Sequence, residues 1–372
     1  MKHSPLRHLE AALRELELGH LRRARPAPQS ADAVTFCSND YLGLAAATVQ
    51  TSGSPGAAAS RLITGERAEH TALEAALAEW LGTESALTFT SGYAANVGLI
   101  SALAGRGDLI VSDERNHASI IDGARLSRAE IEVVPHLDVA AVEAALAKHP
   151  TGRRWVVTEG YFSMDADSPD LPALRAVCDR YDAALLVDEA HSLGVLGPDG
   201  RGVAAELGVV PDAVIGTFGK AFGAGGAFVV GSKILTEWLW NRARSFVFST
   251  GLSPLLATCA LRGVQLANAH PELRARTLAV AHTLRSALAQ LGKPASGYGH
   301  IIPVVLGSPA AALEASAALA ALGVHAQAIR PPTVASGSSR LRIAASARHS
   351  EADVAKVVGA FRSVFNPKPS AT

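Results

Sequence analysis

The chain has 372 residues, of which 48% are hydrophobic, and this composition allows a large buried core. Its length favours one large domain with a smaller companion over a string of modules. Lysine plus arginine and aspartate plus glutamate both number 34, so no global field draws the chain toward nucleic acid or a membrane surface. Any anionic ligand must therefore be held by local groups.

The cysteines are three in number, far apart and never in a CxxC pair: Cys37, Cys178 and Cys259. This spacing argues against a disulfide framework or a metal site, and a reducing cytoplasm fits best. Residues 4–23 place leucines at helical spacing among Arg and Glu, whereas a signal peptide needs an uninterrupted apolar stretch. Other apolar runs have strand length, far below the ~20 residues that cross a bilayer. We expect a cytoplasmic protein without a targeting segment.

The N-terminal helix is the first predicted element. A Pro-bearing stretch follows it and leads to FCSNDYLGL, then to a Gly, Ser and Ala-rich loop at 51–60 that ends before Arg61. This order predicts a helical arm over residues 1–40 that is joined to a larger body.

From about residue 67, short apolar runs alternate with amphipathic helices. Helices are predicted around Leu73, Leu77 and Leu81, after SGYAAN, near 139–147 and from Leu171. Strands are predicted at 109–112, 155–159, 184–190, 213–219 and 227–231. Short buried strands between helices predict a parallel sheet covered on both faces, in a large domain over 41–268. Ligands then belong at the carboxyl ends of the strands.

The pattern after the large domain predicts a smaller α+β domain over residues 269–372. Helices at 254–268 and 271–291 precede a strand at 301–306, a helix at 310–322, strands at 324–329 and 340–345, and a last helix. Only the tail, NPKPSAT, lacks a pattern.

Lys220 lies just past a predicted strand in TFGKAFGAGG, a segment without other charges. A lone Gly-Lys pair is more often a surface lysine. A buried lysine, however, loses proton affinity, and its amine can then form a Schiff base with an aldehyde cofactor. Nucleotide loops are excluded, because Val214 and Ala221 break the GxxxxGK[ST] pattern and Phe228 breaks GxGxxG.

Asp188 ends an apolar strand in LLVDEAHSLG. If this carboxylate meets the pyridine nitrogen of pyridoxal phosphate (PLP), it keeps that nitrogen protonated and the ring becomes an electron sink. His191 could then hydrogen-bond the phenolic oxygen of the ring. The alternative is an acidic pair that ends a strand, with His191 as a turn residue or a metal ligand.

Two further segments offer groups to a planar anionic cofactor. In TFTSGYAAN, Ser91 and Gly92 close a strand and open a helix at Tyr93, which presents free backbone N–H groups to a phosphate. In RNHASIIDG, His117 could stack on a planar ring. Each signal is weak alone, since strand-to-helix turns and polar histidines are common.

Together and in this order, these segments resemble the α-oxoamine synthase family. The resemblance extends to SNDYLGL, SRLITG, VVTEGYFSMD, FSTGLSP and IRPPTV with SRLRI. It implies an α/β fold of the aspartate-aminotransferase-like type (fold type I), with a mostly parallel sheet and a smaller α+β C-terminal domain. It also implies PLP as cofactor and a decarboxylative condensation of an amino acid with an acyl thioester.

The resemblance assigns catalytic and cofactor roles residue by residue. Lys220 resembles the Schiff-base lysine, Asp188 the pyridinium partner and His117 the stacked ring. The positions that resemble other cofactor contacts are Ser91, Gly92, Tyr93, Ser163, His191, Thr217 and Thr250. In the family the threonine of the FST segment comes from the second subunit, so Thr250 implies a homodimer with an interfacial active site.

Substrate contacts are implied in the same way. Arg342 resembles the arginine that holds the amino-acid carboxylate, Thr333 and Arg22 resemble substrate-contacting positions, and His117 resembles a group that meets the thioester. RPPTV and the short arm are similar to the family member that joins L-alanine to a pimeloyl thioester, on coenzyme A or a carrier protein, in biotin synthesis. Glycine C-acetyltransferase, 5-aminolevulinate synthase and, more distantly, an aminotransferase of the same fold stay open.

Overall fold

The structure is a computed structural model that describes residues 6, 8–23, 25, 32–46 and 54–366. Parts of three predicted segments lie outside these residues: the arm at 1–5, 7, 24 and 26–31, the loop at 51–53 and the tail at 367–372. Contacts divide the chain into two units. The large unit is Asn39–Ser163 with Asp167–Thr277, and the small unit holds residues up to Ser38, Met164–Ala166 and Leu278 onward. The predicted domain boundaries stay predictions.

The regular elements alternate through most of the chain. The α-helices are α1 (His8–Leu18), α2 (Ala68–Leu81), α3 (Gly92–Leu103), α4 (Ala118–Ser127), α5 (Val139–Lys148), α6 (Leu171–Arg180), α7 (Gly202–Glu206), α8 (Lys233–Arg242), α9 (Arg244–Val247), α10 (Pro254–Ala269), α11 (Pro271–Gln290), α12 (Pro309–Ala321) and α13 (Glu351–Phe365). The strands are β1 (Val34–Thr35), β2 (Ser85–Phe89), β3 (Leu109–Asp113), β4 (Glu130–Val134), β5 (Arg154–Glu159), β6 (Ala183–Asp188), β7 (Ala213–Thr217), β8 (Ala227–Gly231), β9 (Ile301–Gly307), β10 (Val324–His325), β11 (Gln327–Ile329) and β12 (Ser339–Ala344).

A seven-stranded sheet forms the centre of the large unit, in the order β2-β8-β7-β6-β5-β3-β4. The predicted parallel sheet is confirmed for every neighbouring pair except the two that involve β8, which are antiparallel. Only residues 218–226 connect β7 to β8, and a parallel crossover needs about a dozen residues or more, so the chain must turn back on itself. Since β8 runs against both β2 and β7, those two strands end at the same edge of the sheet.

Short polar side chains begin the helices that follow the strands. Ser91 accepts a hydrogen bond from the Ala94 N–H at the start of α3, and Asp170 accepts one from the Ala173 N–H at the start of α6. Such caps satisfy backbone donors that a helix leaves unpaired at its first turn. The starts of α3 and α6 are therefore encoded locally.

The small unit contains an antiparallel sheet, β11-β12-β9, and a short parallel pair of β1 with β10. Its core is built from apolar side chains of the sheet, α11, α12 and α13, among them Leu284, Ile343 and Phe361. This agrees with the predicted α+β pattern at the C-terminal end. No helix among the described residues of either unit is long and apolar enough to cross a membrane.

Three predicted elements differ from the structure. The strand predicted at 184–190 ends at Asp188, because Glu189 turns inward and accepts hydrogen bonds from the Val203 and Ala204 N–H groups. The strand predicted at 324–329 is interrupted and forms β10 and β11. The strand predicted at 213–219 ends at Thr217. The edge strand β4 was not among the predicted elements, since its apolar residues alternate with glutamates and do not form an apolar run.

Arg61 ties the loop before α2 to the large unit. Its guanidinium contacts Glu66 at 2.5 Å, Glu74 at 2.5 Å and Thr88 Oγ1 at 2.9 Å, and the side chain is only 2% exposed. It also lies 5.2 Å from the ring centroid of Trp240. Removing the cation would leave Glu74, itself only 14% exposed, without its charge partner.

His136 forms a second buried charge cluster. Its Nδ1 lies 2.9 Å from Asp113 Oδ1 and its Nε2 lies 3.1 Å from Asp167 Oδ2. Burial alone would lower the pKa of His136, but the hydrogen bonds and charges of the two carboxylates outweigh it and raise this pKa to about 9. The imidazole is therefore charged at neutral pH and clamps the segment after β4 to the loop before α6.

We expect Arg61→Ala to lower the free energy of unfolding by about 3 kcal/mol, because a buried carboxylate loses its partner. Urea denaturation measures this change. The matched control is Arg180→Ala, whose pair with Glu143 has side chains 56% and 41% exposed, and which should cost less than about 1 kcal/mol. Equal losses for the two variants would contradict a structural role for the Arg61 cluster.

The contacts of His136 with Asp113 and Asp167 predict that the stability of the fold depends on pH. A histidine with a pKa raised from 6.5 in the unfolded chain to about 9 stabilises the fold fully below pH 6.5, and the contribution fades as pH rises through 9. The gap in unfolding free energy between wild type and His136→Gln should therefore narrow from pH 6.5 to pH 9.5. His270→Gln, from an exposed pair with Glu272, is the control and should show little pH dependence. A gap that stays constant would refute the charged clamp.

Candidate active site

The carboxyl ends of five strands meet at one edge of the large sheet. β3, β5, β6 and β7 are parallel to one another, and β2 ends at the same edge because β8 runs against it. The segments that carry the predicted cofactor residues other than Thr250 each follow one of these strands. They are Ser91 to Tyr93 after β2, His117 after β3, Ser163 after β5, Asp188 with His191 at the end of β6, and Thr217 with Lys220 at the end of β7.

Asp188 is joined to His117 through two intermediate side chains. The Asn96 amide donates one hydrogen bond to Asp188 Oδ2 at 2.6 Å and another to Ser119 Oγ at 3.0 Å. Ser119 Oγ lies 2.7 Å from His117 Nδ1. The backbone N–H of Ala190 holds the second carboxylate oxygen of Asp188 at 2.9 Å. The carboxylate and the imidazole are thus oriented by one network.

The protonation of His117 follows from this geometry. Its Nδ1 accepts a hydrogen bond from the Ser119 N–H, so in the neutral ring the proton is on Nε2. Desolvation by the protein atoms around the ring lowers the pKa of His117, Lys220 lowers it further, and the charge of Asp188 opposes both. His117 is therefore a neutral imidazole with a free Nε2–H donor.

Lys220 contacts the second predicted histidine. Its Nζ lies 2.8 Å from His191 Nε2, and His191 Nδ1 lies 2.8 Å from the Tyr41 hydroxyl. Lys220 is partly buried and His191 is buried. The two residues that the sequence placed near the reacting end of a cofactor are thus in direct contact.

Glu159 is a buried carboxyl group beside Asp188. The two residues are paired in the register of β5 and β6, and Glu159 is only 5% exposed. Burial, together with the negative charge of Asp188, raises the pKa of Glu159 to about 8. The opposing charge of Lys220 and a hydrogen bond from the backbone N–H of His117 only partly offset this rise. Glu159 is therefore protonated at neutral pH and adds no second negative charge beside Asp188.

The first turn of α3 has the backbone donors that an anion requires. Its N-terminal N–H groups point along the helix axis toward the sheet edge, and only Gly92 separates the cap Ser91 from Tyr93. A Cβ on Gly92 would lie 3.8 Å from Thr217 Cβ, so Thr217 lies beside this turn. Tyr93 is exposed and its hydroxyl bonds Asp122.

The remaining predicted residues have different surroundings. Ser163 is buried after β5, and Thr250 is exposed in the segment after α9. In the small unit, Arg342 is buried in β12, Thr333 accepts a hydrogen bond from Arg23 at 3.1 Å, and the half-exposed Arg22 pairs with Glu17 at 2.6 Å. These contacts do not bring Arg22, Thr333 and Arg342 together as a cluster.

Four site residues were not predicted from the sequence: Tyr41, Asn96, Ser119 and Glu159. All four lie within motifs that carried the resemblance, namely SNDYLGL, SGYAAN, NHAS and VVTEGYFSMD. The signal that could have found Glu159 is its place at the carboxyl end of a buried strand, the same signal that singled out Asp188. Asn96 and Ser119 carry no such signal, because their role depends on side chains that are distant in sequence.

The residues of this site suit a cofactor that has an aldehyde, a protonated ring nitrogen and a phosphate. A lysine amine can bind an aldehyde, a charged carboxylate can hold a protonated ring nitrogen, and a helix N-terminus with a neighbouring hydroxyl can hold a phosphate. One buried acceptor, Asn96 Oδ1, has no hydrogen-bond partner in the structure. These groups suit a planar anionic molecule, and the Lys220 amine is a group that can exchange a proton.

Comparison with known proteins gives a consistent result. A model of the family "aminotransferase class I and II" matches residues 31–361. An 8-amino-7-oxononanoate synthase 1 from Polaromonas sp. is 43% identical and the match covers 99% of this chain and 98% of that relative. An 8-amino-7-oxononanoate synthase from Anaeromyxobacter dehalogenans is 46% identical over 91% of this chain and 88% of the relative. Among solved structures, a serine palmitoyltransferase from S. paucimobilis with a bound PLP–myriocin aldimine has a TM-score of 0.90 at 29% identity, covering 97% and 98% of the two chains.

Proposed function

Since the chain belongs to the α-oxoamine synthases of the class I and II aminotransferase family, we propose that it is a PLP-dependent acyltransferase of biotin synthesis. It condenses L-alanine with a pimeloyl thioester and yields 8-amino-7-oxononanoate, CO2 and the free thiol. The observation that carries this proposal is the 43% identity to a named 8-amino-7-oxononanoate synthase over 99% of the chain. The Lys220, Asp188 and His117 arrangement supplies the chemistry that the reaction needs.

The site residues fit PLP group by group. Lys220 would bind its aldehyde carbon, Asp188 its ring nitrogen, and the first turn of α3 with Thr217 its phosphate. Ser163 and His191 would lie near its phenolic oxygen, and His117 over its ring. When bound, PLP supplies an electron sink that stabilises negative charge at the amino-acid Cα.

Lys220 moves the proton of the reaction. With PLP and the amino acid bound, the amine of Lys220 would be the base that removes the Cα proton and later returns one. Its position after β7, beside His191, keeps the amine near a second proton-binding group. This pairing supports the role of Lys220 as both nucleophile and base.

Asp188 is the carboxylate that keeps the ring nitrogen protonated in this proposal. Its two oxygens are held by Asn96 and by the Ala190 N–H, which fixes the direction of the remaining lone pairs. Glu159 is neutral at pH 7, so a single negative charge faces the ring nitrogen rather than two. A single carboxylate charge balances the single positive charge of a protonated ring nitrogen.

His117 binds the acyl substrate through its Nε2–H. The neutral ring can cover the cofactor without charge repulsion, and its remaining N–H can donate to the thioester oxygen as negative charge develops there. A donor that is already oriented by Ser119 and Asn96 loses little freedom on binding.

The amino-acid carboxylate is assigned to Arg342, and further substrate contacts to Thr333 and Arg22. The support for Arg342 is its match to the arginine of the SRLRI motif, and the residue is buried in β12. Thr333 and Arg22 rest on the resemblance alone.

A homodimer completes the site in this proposal. Thr250 is exposed, and its neighbour Phe248 is 72% exposed. In the adjoining segment, Ile63 is 75% exposed. The Gly251 N–H bonds the Ala59 carbonyl, so both loops belong to one surface. An apolar surface of this kind favours burial by a second copy, with Thr250 near the phosphate of the partner's cofactor.

Location and acyl carrier complete the proposal. All three cysteines are free, which supports a reducing cytoplasm. The pimeloyl group is carried by coenzyme A or by an acyl carrier protein.

Thiol release provides the direct test of the reaction. L-Alanine with pimeloyl-CoA should release thiol at least about tenfold faster than glycine with acetyl-CoA or succinyl-CoA. Lys220→Ala should lower the rate by more than about 10³-fold, while Arg180→Ala, on the far surface pair with Glu143, should not. Preference for glycine would assign a sister reaction, and keto-acid formation from alanine alone would assign an aminotransferase.

Mixed dimers test whether Thr250 acts across an interface. Thr250→Glu places a carboxylate near the phosphate and should weaken PLP binding by about tenfold or more. At a PLP concentration that saturates only the wild-type site, homodimers of either variant should have low activity, whereas a mixed dimer has one site with both native residues and should regain activity. Absence of any recovery after subunit exchange would show that Thr250 acts within its own subunit or not at all.

A further inference from the structure

A series of hydrogen-bonded side chains leads from Lys220 into the interior of the large unit. Lys220 Nζ lies 2.8 Å from His191 Nε2, His191 Nδ1 lies 2.8 Å from the Tyr41 hydroxyl, and that hydroxyl lies 3.0 Å from Asn39 Oδ1. Tyr41 is fully buried, and His191 is 8% exposed. The sequence motifs account for Lys220 and His191 but assign nothing to Tyr41.

The order of donors along this series is set by chemistry. Asn39 Oδ1 only accepts, so the Tyr41 O–H donates to it and the Tyr41 oxygen is left to accept. His191 Nδ1 then carries the proton and donates to Tyr41, which leaves Nε2 without a proton. Nε2 accepts one hydrogen bond from the Lys220 ammonium.

Tyr41 is held rigidly in this place. Its backbone carbonyl accepts a hydrogen bond from the Thr277 hydroxyl at 2.8 Å. The loop that follows Lys220 lies against the same segment, because a Cβ on Gly223 would come within 2.3 Å of the backbone at Leu44 and Ala45. Gly223 has φ +63°, which only glycine adopts readily, so the close approach and the backbone conformation both require it. The segment that holds Tyr41 and the segment that follows Lys220 are therefore packed against each other.

We propose that Tyr41 is a positioning residue that holds His191 with an unprotonated Nε2 directed at Lys220, so that His191 can accept the proton which Lys220 must lose. The proposal rests on the role of Lys220 in the proposed function. In this transfer an N–H bond of the ammonium breaks and an N–H bond forms at His191 Nε2. The imidazolium keeps its Nδ1–H bond to Tyr41, and Lys220 is left as a free amine.

Charged groups around Lys220 bias this proton. Lys220 interacts electrostatically with Glu159 and His117, and it contacts His191 directly. Asp188 favours a positive charge on either partner, and Glu159 and His117 are neutral at pH 7. Tyr41 favours the charge on His191, because its hydrogen bond to Nδ1–H strengthens when the imidazole is charged.

The test follows capture of PLP by Lys220 in the full-length chain stripped of cofactor. The rate of the absorbance change on adding PLP is measured from pH 6 to 10, and borohydride reduction with mass spectrometry verifies attachment at Lys220. Tyr41→Phe should lower the rate at pH 7 by about tenfold and move the pH dependence upward by about one unit, because Lys220 keeps its proton longer.

A matched control removes a hydroxyl elsewhere in the large unit. Tyr181 follows α6 and precedes β6, so it lies toward the opposite edge of the sheet from Asp188, and Tyr181→Phe should capture PLP at the wild-type rate. His191→Gln should be at least as slow as Tyr41→Phe at pH 7. In the His191→Gln background, Tyr41→Phe should change the rate less than twofold, since its effect passes through His191.

Two results would overturn the proposal. One is a wild-type rate profile in Tyr41→Phe; the other is an equal loss from Tyr41→Phe with and without His191, which would mark Tyr41 as merely structural. If Tyr41→Phe does not fold, a wild-type rate in His191→Gln overturns the proposal by itself. Failure of the wild-type chain to capture PLP at Lys220 is distinguishable, because it would overturn the proposed function first.

Discussion

The shared direction of the strands is the constraint on which the candidate site depends. Parallel strands deliver their carboxyl ends to one edge of a sheet, and five strands here deliver a helix N-terminus, two carboxyl groups, two histidines and a lysine to that edge. The antiparallel β8 is part of this constraint. If β8 were parallel to β7, the end of β2 and the N-terminus of α3 would be at the opposite edge of the sheet from Lys220.

Burial of charge is the second constraint on the site. Two carboxylates in adjacent strands cannot both stay ionised inside the protein, and the structure resolves this by keeping Glu159 neutral while Asn96 and a backbone N–H stabilise Asp188. The same network extends through Ser119 to His117. Asn96 therefore couples Asp188 to His117.

The two histidines of the site have different tautomers because they have different partners. His117 accepts a backbone N–H at Nδ1 and so presents a donor at Nε2. His191 donates from Nδ1 to Tyr41 in the order proposed above, and so presents an acceptor at Nε2. One imidazole is suited to donate to a substrate oxygen, the other to receive a proton from Lys220. Residue type alone does not distinguish these two roles.

The sequence by itself determined the family, the alternation of strands and helices, and the chemical identity of Lys220, Asp188, His117 and His191. These features are local: a strand needs a short apolar run, a helix start needs a capping Ser or Asp, and a catalytic motif keeps its residues within a few positions. Asn96, Ser119, Tyr41 and Glu159 acquire their roles only in the tertiary structure. Asn96 and Asp188 are 92 residues apart, and Tyr41 and His191 are 150 apart, so their hydrogen bonds exist only after the strands have paired. Protonation states were decided there as well, because desolvation and neighbouring charge depend on packing, which no local pattern encodes.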